Sequence, residues 1–595
     1  MKFEKRTPEL RLKLEGWRSR LVFFMAAAGF VALGGRAFYL QGVNTSFLQA
    51  KGEQRYGRVV EMPASRGPVK DRNGQILAIS TAVESIKASP EDLADADDAQ
   101  VRQLGQALGM DPRDIRQKIA NKDRQFVYLK RQISPDQAAK VMALRAPGVF
   151  QEREWRRFYP SGEMMSHVVG FTDIEDKGQE GIELAAQGRL AGTPGSRKVI
   201  KDRKGRIVED VEALHAPRDG AEVDLALDQR LQFVAHRELK AAVDQYHARA
   251  GSLVILDART GEVLALVNQP DYNPNNRAAV TGPQTRNRSV TDLYEPGSTM
   301  KPFTVSLALE SGLVRPETII ETGNGAMKIG GRTINDSHPM GTLTVAQVIA
   351  KSSNIGAAKI QLQMPAEKVW TLYRELGFGA VPQTGFPGEA KGLLRPWAKW
   401  RPIEQATMAY GHGISVSLLQ LARAYTVFTN EGQLLPLSLL RLEGKPVGKP
   451  VFDAKTIGEI AKMMEAAASP DGSAPLARVP GYRVAGKTGT AYKAEAGGYA
   501  EHKYISSFVG FAPVSDPRFI VAVMLDEPQG AKHFGGDVAG PVFSSVMGNA
   551  LRLMDVPPDA VQTVNARAPA ALPEPPRAEA GQPKRAESAR GKADT

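Results

Sequence analysis

The chain contains no cysteine. Disulfide staples, thiolate zinc sites and cysteine nucleophiles are excluded, so any covalent catalysis must run through another side chain. Histidine is scarce, eight in 595 residues, and never recurs at ligand spacing, which points away from metal catalysis. After Leu40 no stretch is apolar enough to span a bilayer. The net charge of +12 comes without a Lys/Arg block or an aromatic-rich RNA motif, so it does not mark a nucleic-acid binder. Attraction to an anionic envelope surface is the milder implication.

What is present is ordinary globular material, 42% hydrophobic and 24% charged, in a chain long enough for several domains. Leu21 to Leu40, "LVFFMAAAGFVALGGRAFYL", would span about 30 Å as a helix, close to a bilayer's hydrocarbon thickness. Lys2, Lys5, Arg6, Arg11, Lys13, Arg18 and Arg20 precede it, a flank that stays cytoplasmic and sends the rest outward. Residues 1–20 are thus expected as a cytoplasmic segment and 21–40 as a transmembrane anchor. Because Arg36 interrupts the apolar run, a cleaved signal peptide is the alternative.

A β-containing module opens at "RGPVKDRNGQILA", where Asn73-Gly74 predicts a tight hairpin. From Glu91 to about Gly148, capping Ser and Asp residues with apolar residues three or four apart predict a helical insertion. "YPSGEMMSHVVGF" and "LAGTPGSRKVIKDRKGRIVED" suit twisted strands and turns. A second unit begins near 226. "DLALDQRLQ" opens a helix, "GSLVILDARTGEVLALVN" reads as a hairpin turning at Arg259 to Gly261, and three more strand-like runs lie at Tyr482–Lys493, Tyr504–Ala512 and Phe519–Leu525. Helices fill the interval, which suits an α+β domain whose single antiparallel sheet takes strands from both ends of the domain. Residues 557–595, rich in Pro, Ala and charge, are expected as a disordered tail.

"EPGSTMKPF" places Ser298 three residues before Lys301, on one helix face and within possible hydrogen-bond reach. A lysine can serve a serine as base if burial or a neighbouring cation depresses its pKa. Pro302 requires the helix to start near Ser298. The same geometry suits a plain helix cap, and Ser-x-x-Lys alone is a weak signal. "KSSNIG" adds a hydroxyl at Ser352 and an amide at Asn354, and "AGKTGTAYK" puts Lys487 and Gly489 in a strand, where a glycine lets substrate lie close. Each of these alone is an ordinary turn or strand end. His412 in "YGHGIS" is read as a packing or backbone-approach residue.

Together and in this order the three segments resemble the penicillin-recognising serine acyltransferases, with separations of 54 residues (298 to 352) and 135 (352 to 487). The likeness continues through "LDARTGEVLALVNQPDYNPNN", "GHGISVSLLQLARAY" and "FGGDVAGPVF". "RGPVKDRNGQILA" and "FYPSGEMMSHVVGFT" look like the non-catalytic pedestal of class B penicillin-binding proteins, and the whole looks most like the cell-division (FtsI-type) subgroup. The resemblance implies a pedestal over 41–225 and a transpeptidase domain over 226–556 with a five-stranded antiparallel sheet flanked by helices. It implies acyl transfer from peptidoglycan stem peptides, without cofactor or metal, through Ser298 as nucleophile and Lys301 as its base. Ser352 would relay a proton, Asn354 would hold substrate and Lys301, and Lys487 would supply positive potential. Thr488, Gly489 and Thr490 would bind the donor, and the backbone N–H groups of Ser298 and Thr490 would form an oxyanion hole. β-Lactams as inhibitors, membrane division partners including a polytopic glycosyltransferase, and a septal, periplasm-facing place on the bacterial inner membrane follow from the same resemblance. An elongation-type enzyme, a β-lactam hydrolase or sensor, and an inactive scaffold are the alternatives.

Overall fold

The computed structural model describes residues 16–45, 47, 51, 57–201, 207–278, 280–495 and 498–560. The basic segment 1–15 and the tail from 561 onward lie outside the described residues. Helix α1, Gly16–Phe38, continues through a π-turn at Tyr39–Val43 and buries no residue. Among the described residues it is the one helix long and apolar enough to cross a membrane. It begins earlier than the expected anchor at Leu21.

In the pedestal, Val69–Lys70 and Ile76–Ala88 form the hairpin that Asn73-Gly74 predicts, with Gly74 at φ +80°. Asp71 Oδ1 closes the turn by accepting the N–H groups of Asn73 and Gln75, each at 2.8 Å. The expected helical insertion is mixed instead. Its helices Asp98–Leu108 and Pro135–Ala143 start at capping Asp97 and Ser134, but the strand Val127–Ile133 lies between them and pairs with Ile76–Ala88. Alternate residues of that strand, Val127 and Leu129, enter the small core around Leu104, Ile115 and Val141. Tertiary pairing therefore outweighs the helical surroundings.

"YPSGEMMSHVVGF" also departs from the expected strands. Gly162–Met165 is a 3-10 turn and Ser166–Val169 a helical turn. Its backbone is satisfied by the second domain: Gln232 Nε2 donates to Met164 O at 2.9 Å, Tyr272 OH to Ser166 O at 2.9 Å, and Asn287 Nδ2 to His167 O at 3.0 Å. This segment is the seam between the modules.

Behind the seam, Glu183 is fully buried between two arginines, Arg66 Nε at 2.5 Å and Arg157 Nε at 2.6 Å. Arg157 also donates to Gly67 O at 2.8 Å. Removing the carboxylate strands two buried cations, so Glu183→Leu is expected to destabilise the pedestal by about 3–5 kcal/mol. Urea unfolding of the full chain reads this as a lowered midpoint.

The second domain starts with helix α2, Gln229–Gln245, capped by Asp228. Strands β1 (Ala250–Asp257) and β2 (Val263–Gln269) follow, then helices α3 (Lys301–Glu310), α4 (Val345–Ala350) and α5 (Asn354–Gln361). Strands β3 (Ala485–Glu495), β4 (Gly498–Ala512) and β5 (Phe519–Asp526) and helix α6 (Gly535–Leu553) complete it. The sheet order is β2-β1-β5-β4-β3, antiparallel throughout. Both ends of the domain thus supply strands, and β3 is left as an edge. Strands β1, β2 and β5 are buried along their whole length because both faces are covered. Leu231 and Leu239 of α2 pack with Phe543 and Met547 of α6 on one face, while Phe303 of α3 belongs to the larger core on the other.

The domain does not stop at Val556. Asp559 accepts the Arg483 N–H at 2.7 Å and the Ser515 hydroxyl at 2.9 Å, and Ala560 N–H donates to Gly481 O at 3.1 Å. Residues 557–560, expected as tail, are docked on the domain by these bonds.

Candidate active site

Local sequence explains why Ser298 stands at a helix entrance. The 3-10 turn Gly297–Met300 carries it, and α3 begins at Lys301 with Pro302 in the first turn, where a missing N–H breaks no helical bond. Ser298 is half-buried, whereas Lys301 is fully buried. The i, i+3 spacing suggests a direct bond between the two. Among the described residues none joins them, because Lys301 is held by other acceptors.

Lys301 Nζ donates to Ser352 O at 2.6 Å and to Asn354 Oδ1 at 2.9 Å, and lies 3.2 Å from Ser352 Oγ. Asn354 Nδ2 donates to Asn335 O at 2.9 Å, which turns Oδ1 toward the lysine. Ser352 sits in the turn between α4 and α5 at φ +64°, a left-handed conformation that non-glycine residues seldom adopt. Lys487 reaches the same hydroxyl from β3, with Nζ 2.8 Å from Ser352 Oγ and 3.0 Å from Thr488 Oγ1. One hydroxyl therefore joins two lysines.

Electrostatics follow from that arrangement. Loss of water holds the Lys301 amine well below its ordinary range, and the Lys487 charge pushes it further down, while Asp336 opposes. Burial alone pushes Lys487 down to about 7. Two cations sharing one oxygen repel, so protonation of one disfavours protonation of the other. A neutral Lys301 has two hydrogens. Ser352 O and Asn354 Oδ1 can only accept, so together they take both and leave the nitrogen lone pair available for a proton.

The edge strand comes close to the serine turn. A side chain on Gly489 would place Cβ 2.4 Å from Ser507 Oγ and 2.7 Å from Pro296 O. The bare Cα thus makes room for the serine turn, where the sequence suggests room for substrate. Thr490 N is 3.3 Å from the position a Cβ on Gly297 would occupy, so the backbones of the serine turn and of Thr490 are neighbours. Thr490 Oγ1 accepts the Gly535 N–H at the start of α6, 3.0 Å away. Lys301, Ser352, Asn354, Lys487 and Thr488 are joined by hydrogen bonds, and Gly489 and Thr490 lie against the Ser298 turn.

Two further acidic residues complete it. Asp336 accepts from Asn354 N at 2.5 Å, Ile355 N at 3.1 Å and Ser353 Oγ at 2.7 Å, so a carboxylate fixes the start of α5. Nothing in "INDSHP" ties Asp336 to a segment 17 residues away. Asp336→Ala is expected to cost about 2–3 kcal/mol of stability, the loss of charge-assisted bonds. It should also loosen Asn354, whose amide oxygen holds Lys301, and the melting temperature of the full chain reads the loss. The second is Glu295, which accepts from Gly413 N at 2.8 Å. A cavity of about 480 Å³ lies in the pedestal beside Gln117, Arg124 and Phe126, and none of these candidate residues lines it.

Residues 251–548 match the family described as penicillin binding protein transpeptidase domain, and residues 61–225 match the penicillin-binding protein dimerisation domain. The chain is 43% identical over 91% of its length to the probable peptidoglycan D,D-transpeptidase PenA of Neisseria gonorrhoeae, covering 93% of that protein. It is 39% identical over 92% of its length to the peptidoglycan D,D-transpeptidase FtsI of Escherichia coli K12, again covering 93%. Among solved structures, the transpeptidase domain of Burkholderia pseudomallei penicillin-binding protein 3 is 50% identical, with a TM-score of 0.53, over 56% of this chain and 98% of that one.

Proposed function

The chain belongs to the class B penicillin-binding proteins, the peptidoglycan D,D-transpeptidases of the FtsI, PenA and PBP3 type, and from that membership we propose how its residues divide the reaction. The enzyme is a serine-type D,D-transpeptidase of the division type and a target of β-lactams. The observation that carries the assignment of roles is the buried Lys301 amine, held by two acceptor-only oxygens beside the Ser298 turn.

Ser298 Oγ attacks the carbonyl carbon of the penultimate D-alanine, and its proton passes to the neutral Lys301. Backbone N–H groups of Ser298 and Thr490 receive the oxyanion. The C–N bond breaks, and the proton reaches the leaving D-alanine amine through Ser352, which touches both lysines. Lys487 and the hydroxyls of Thr488 and Thr490 hold the terminal carboxylate, with Gly489 keeping the strand close to the turn. An acceptor amine then attacks the ester, a new C–N bond replaces the C–Oγ bond, and the amine's proton returns through Lys301 to Ser298. β-Lactams stop the cycle at the ester.

Helix α1 fits a single-pass anchor, with the preceding basic residues on the cytoplasmic side. On this reading the catalytic domain faces the periplasm at the inner membrane and works beside other membrane division proteins and a polytopic glycosyltransferase; the helix and its basic flank support the orientation. A fluorescently tagged copy should concentrate at midcell in dividing cells. An even distribution along the lateral wall would overturn the septal assignment.

A further inference from the structure

Beside the catalytic turn lies a carboxylate that the acylation chemistry leaves unused. Glu295 accepts the Gly413 N–H at 2.8 Å, and Tyr499 OH donates to its two oxygens at 3.1 and 3.0 Å. Both donors are neutral, and among the described residues no lysine, arginine or histidine pairs with it. Burial raises its pKa, with the Gly413 and Tyr499 bonds opposing.

Aromatic rings gather at the same place. Tyr410 and His412 meet edge-on at 5.1 Å, His412 lies 6.1 Å from Tyr499, and Tyr492 lies 6.4 Å from Tyr499. Burial, aided by the Lys301 charge, holds the His412 imidazole down to about 4, so it is neutral near pH 7 and supplies no cation. The rings are locked to the serine turn. Gly297 N–H donates to Gly411 O at 3.4 Å, and a Cβ on Gly411 would fall 2.3 Å from Gly297 O, so only glycine permits this approach. The packing role expected of His412 is met through these ring contacts.

A half-buried carboxylate served only by neutral donors is stabilised by an incoming cation. Tyr499, which touches Glu295 through its hydroxyl, and the Tyr410–His412 pair beside it make the surroundings aromatic, which suits an organic ammonium. We propose that Glu295, walled by Tyr410, His412 and Tyr499, binds the primary ammonium of a stem peptide, that of the acceptor before it attacks the acyl group on Ser298. This rests on the transpeptidase roles above. The ammonium loses one proton to solvent, the free amine forms the C–N bond as C–Oγ breaks, and its second proton passes through Lys301 to Ser298 Oγ. The diamino acid of the donor stem carries the same ammonium chemistry, so the test separates the two sources.

The full-length protein in detergent is acylated by a thioester analogue of the donor stem. It is then offered a stem tripeptide whose last residue is a diamino acid with a free ω-amine, and the donor analogue is used with its own diamino acid either free or acetylated on the ω-amine. Glu295→Gln keeps an oxygen for Gly413 and removes the charge. It should lower the share of acyl-enzyme captured by the free amine about tenfold more than it lowers labelled-penicillin acylation. If that share holds while KM rises about tenfold for the amine-bearing donor and not for its acetylated form, the ammonium is the donor's and the acceptor assignment falls. If the captured share holds and the KM values of both donor forms stay put or rise alike, the ammonium site is overturned. Should Glu295→Gln lose penicillin labelling, Tyr499→Lys answers the same question at a residue that is 54% exposed, by placing an internal ammonium on Glu295. It should reduce capture of the free amine, and undiminished capture would overturn the site. Failure of the unsubstituted protein to label with penicillin would strike the transpeptidase roles themselves.

Discussion

Lys301→Met is expected to slow acylation of Ser298 by a β-lactam about a thousandfold, the scale of a lost general base. Methionine fills nearly the same buried space, so the effect reports the missing amine rather than a cavity. Loss of the proton acceptor leaves the Ser298 hydroxyl unactivated, while Ser352 and Lys487 remain paired at 2.8 Å. Stopped-flow or quenched labelling with a fluorescent penicillin measures it. Unchanged kinetics would remove Lys301 from its role.

The pH dependence has a definite sign. Lys301 works as a neutral amine, and both burial and the Lys487 charge hold its pKa below the ordinary 10.5. Acylation should therefore rise with pH through that depressed pKa and reach its plateau below 10.5. Lys487→Gln removes a neighbouring cation, so the pKa of Lys301 climbs and the rising limb moves to higher pH. A limb that stays in place would separate the two lysines electrostatically, against the bridge they form at Ser352.

The sheet was legible in the sequence because its strands are apolar runs flanked by turn residues. The hairpin at Arg259 to Gly261 and the two-ended supply of strands both appear in the fold. Asn73-Gly74 was equally direct, since a tight turn depends on local chemistry. The strand Val127–Ile133 was hidden by the helices on either side, and its place is fixed by pairing with a strand some forty residues earlier. "GEMMSHVV" folds into helical turns whose carbonyls accept side-chain hydrogen bonds donated by the second domain, which no local pattern records. At the site, Ser298, Lys301, Ser352, Asn354 and Lys487 were legible as ordered motifs. Asp336 was not, because its role is three hydrogen bonds to another segment. Neither was the Glu295–Tyr499 contact, which spans 204 residues.

The central claim is that one serine carries the acyl group. Ser298→Ala removes the nucleophile and should abolish covalent labelling altogether, with the melting temperature nearly unchanged because Ser298 is half-buried and makes no side-chain hydrogen bond among the described residues. Ser352 Oγ, within reach of both lysines, is the hydroxyl whose labelling would compete with this assignment, whereas Thr299 Oγ1 donates to Pro296 O at 2.8 Å. The most direct test is peptide mass mapping of the full-length protein after reaction with a labelled penicillin. The account predicts one adduct, on Ser298, in the peptide containing "EPGSTMK", and none in Ser298→Ala. An adduct on any other residue, or persistent labelling of Ser298→Ala, would contradict it.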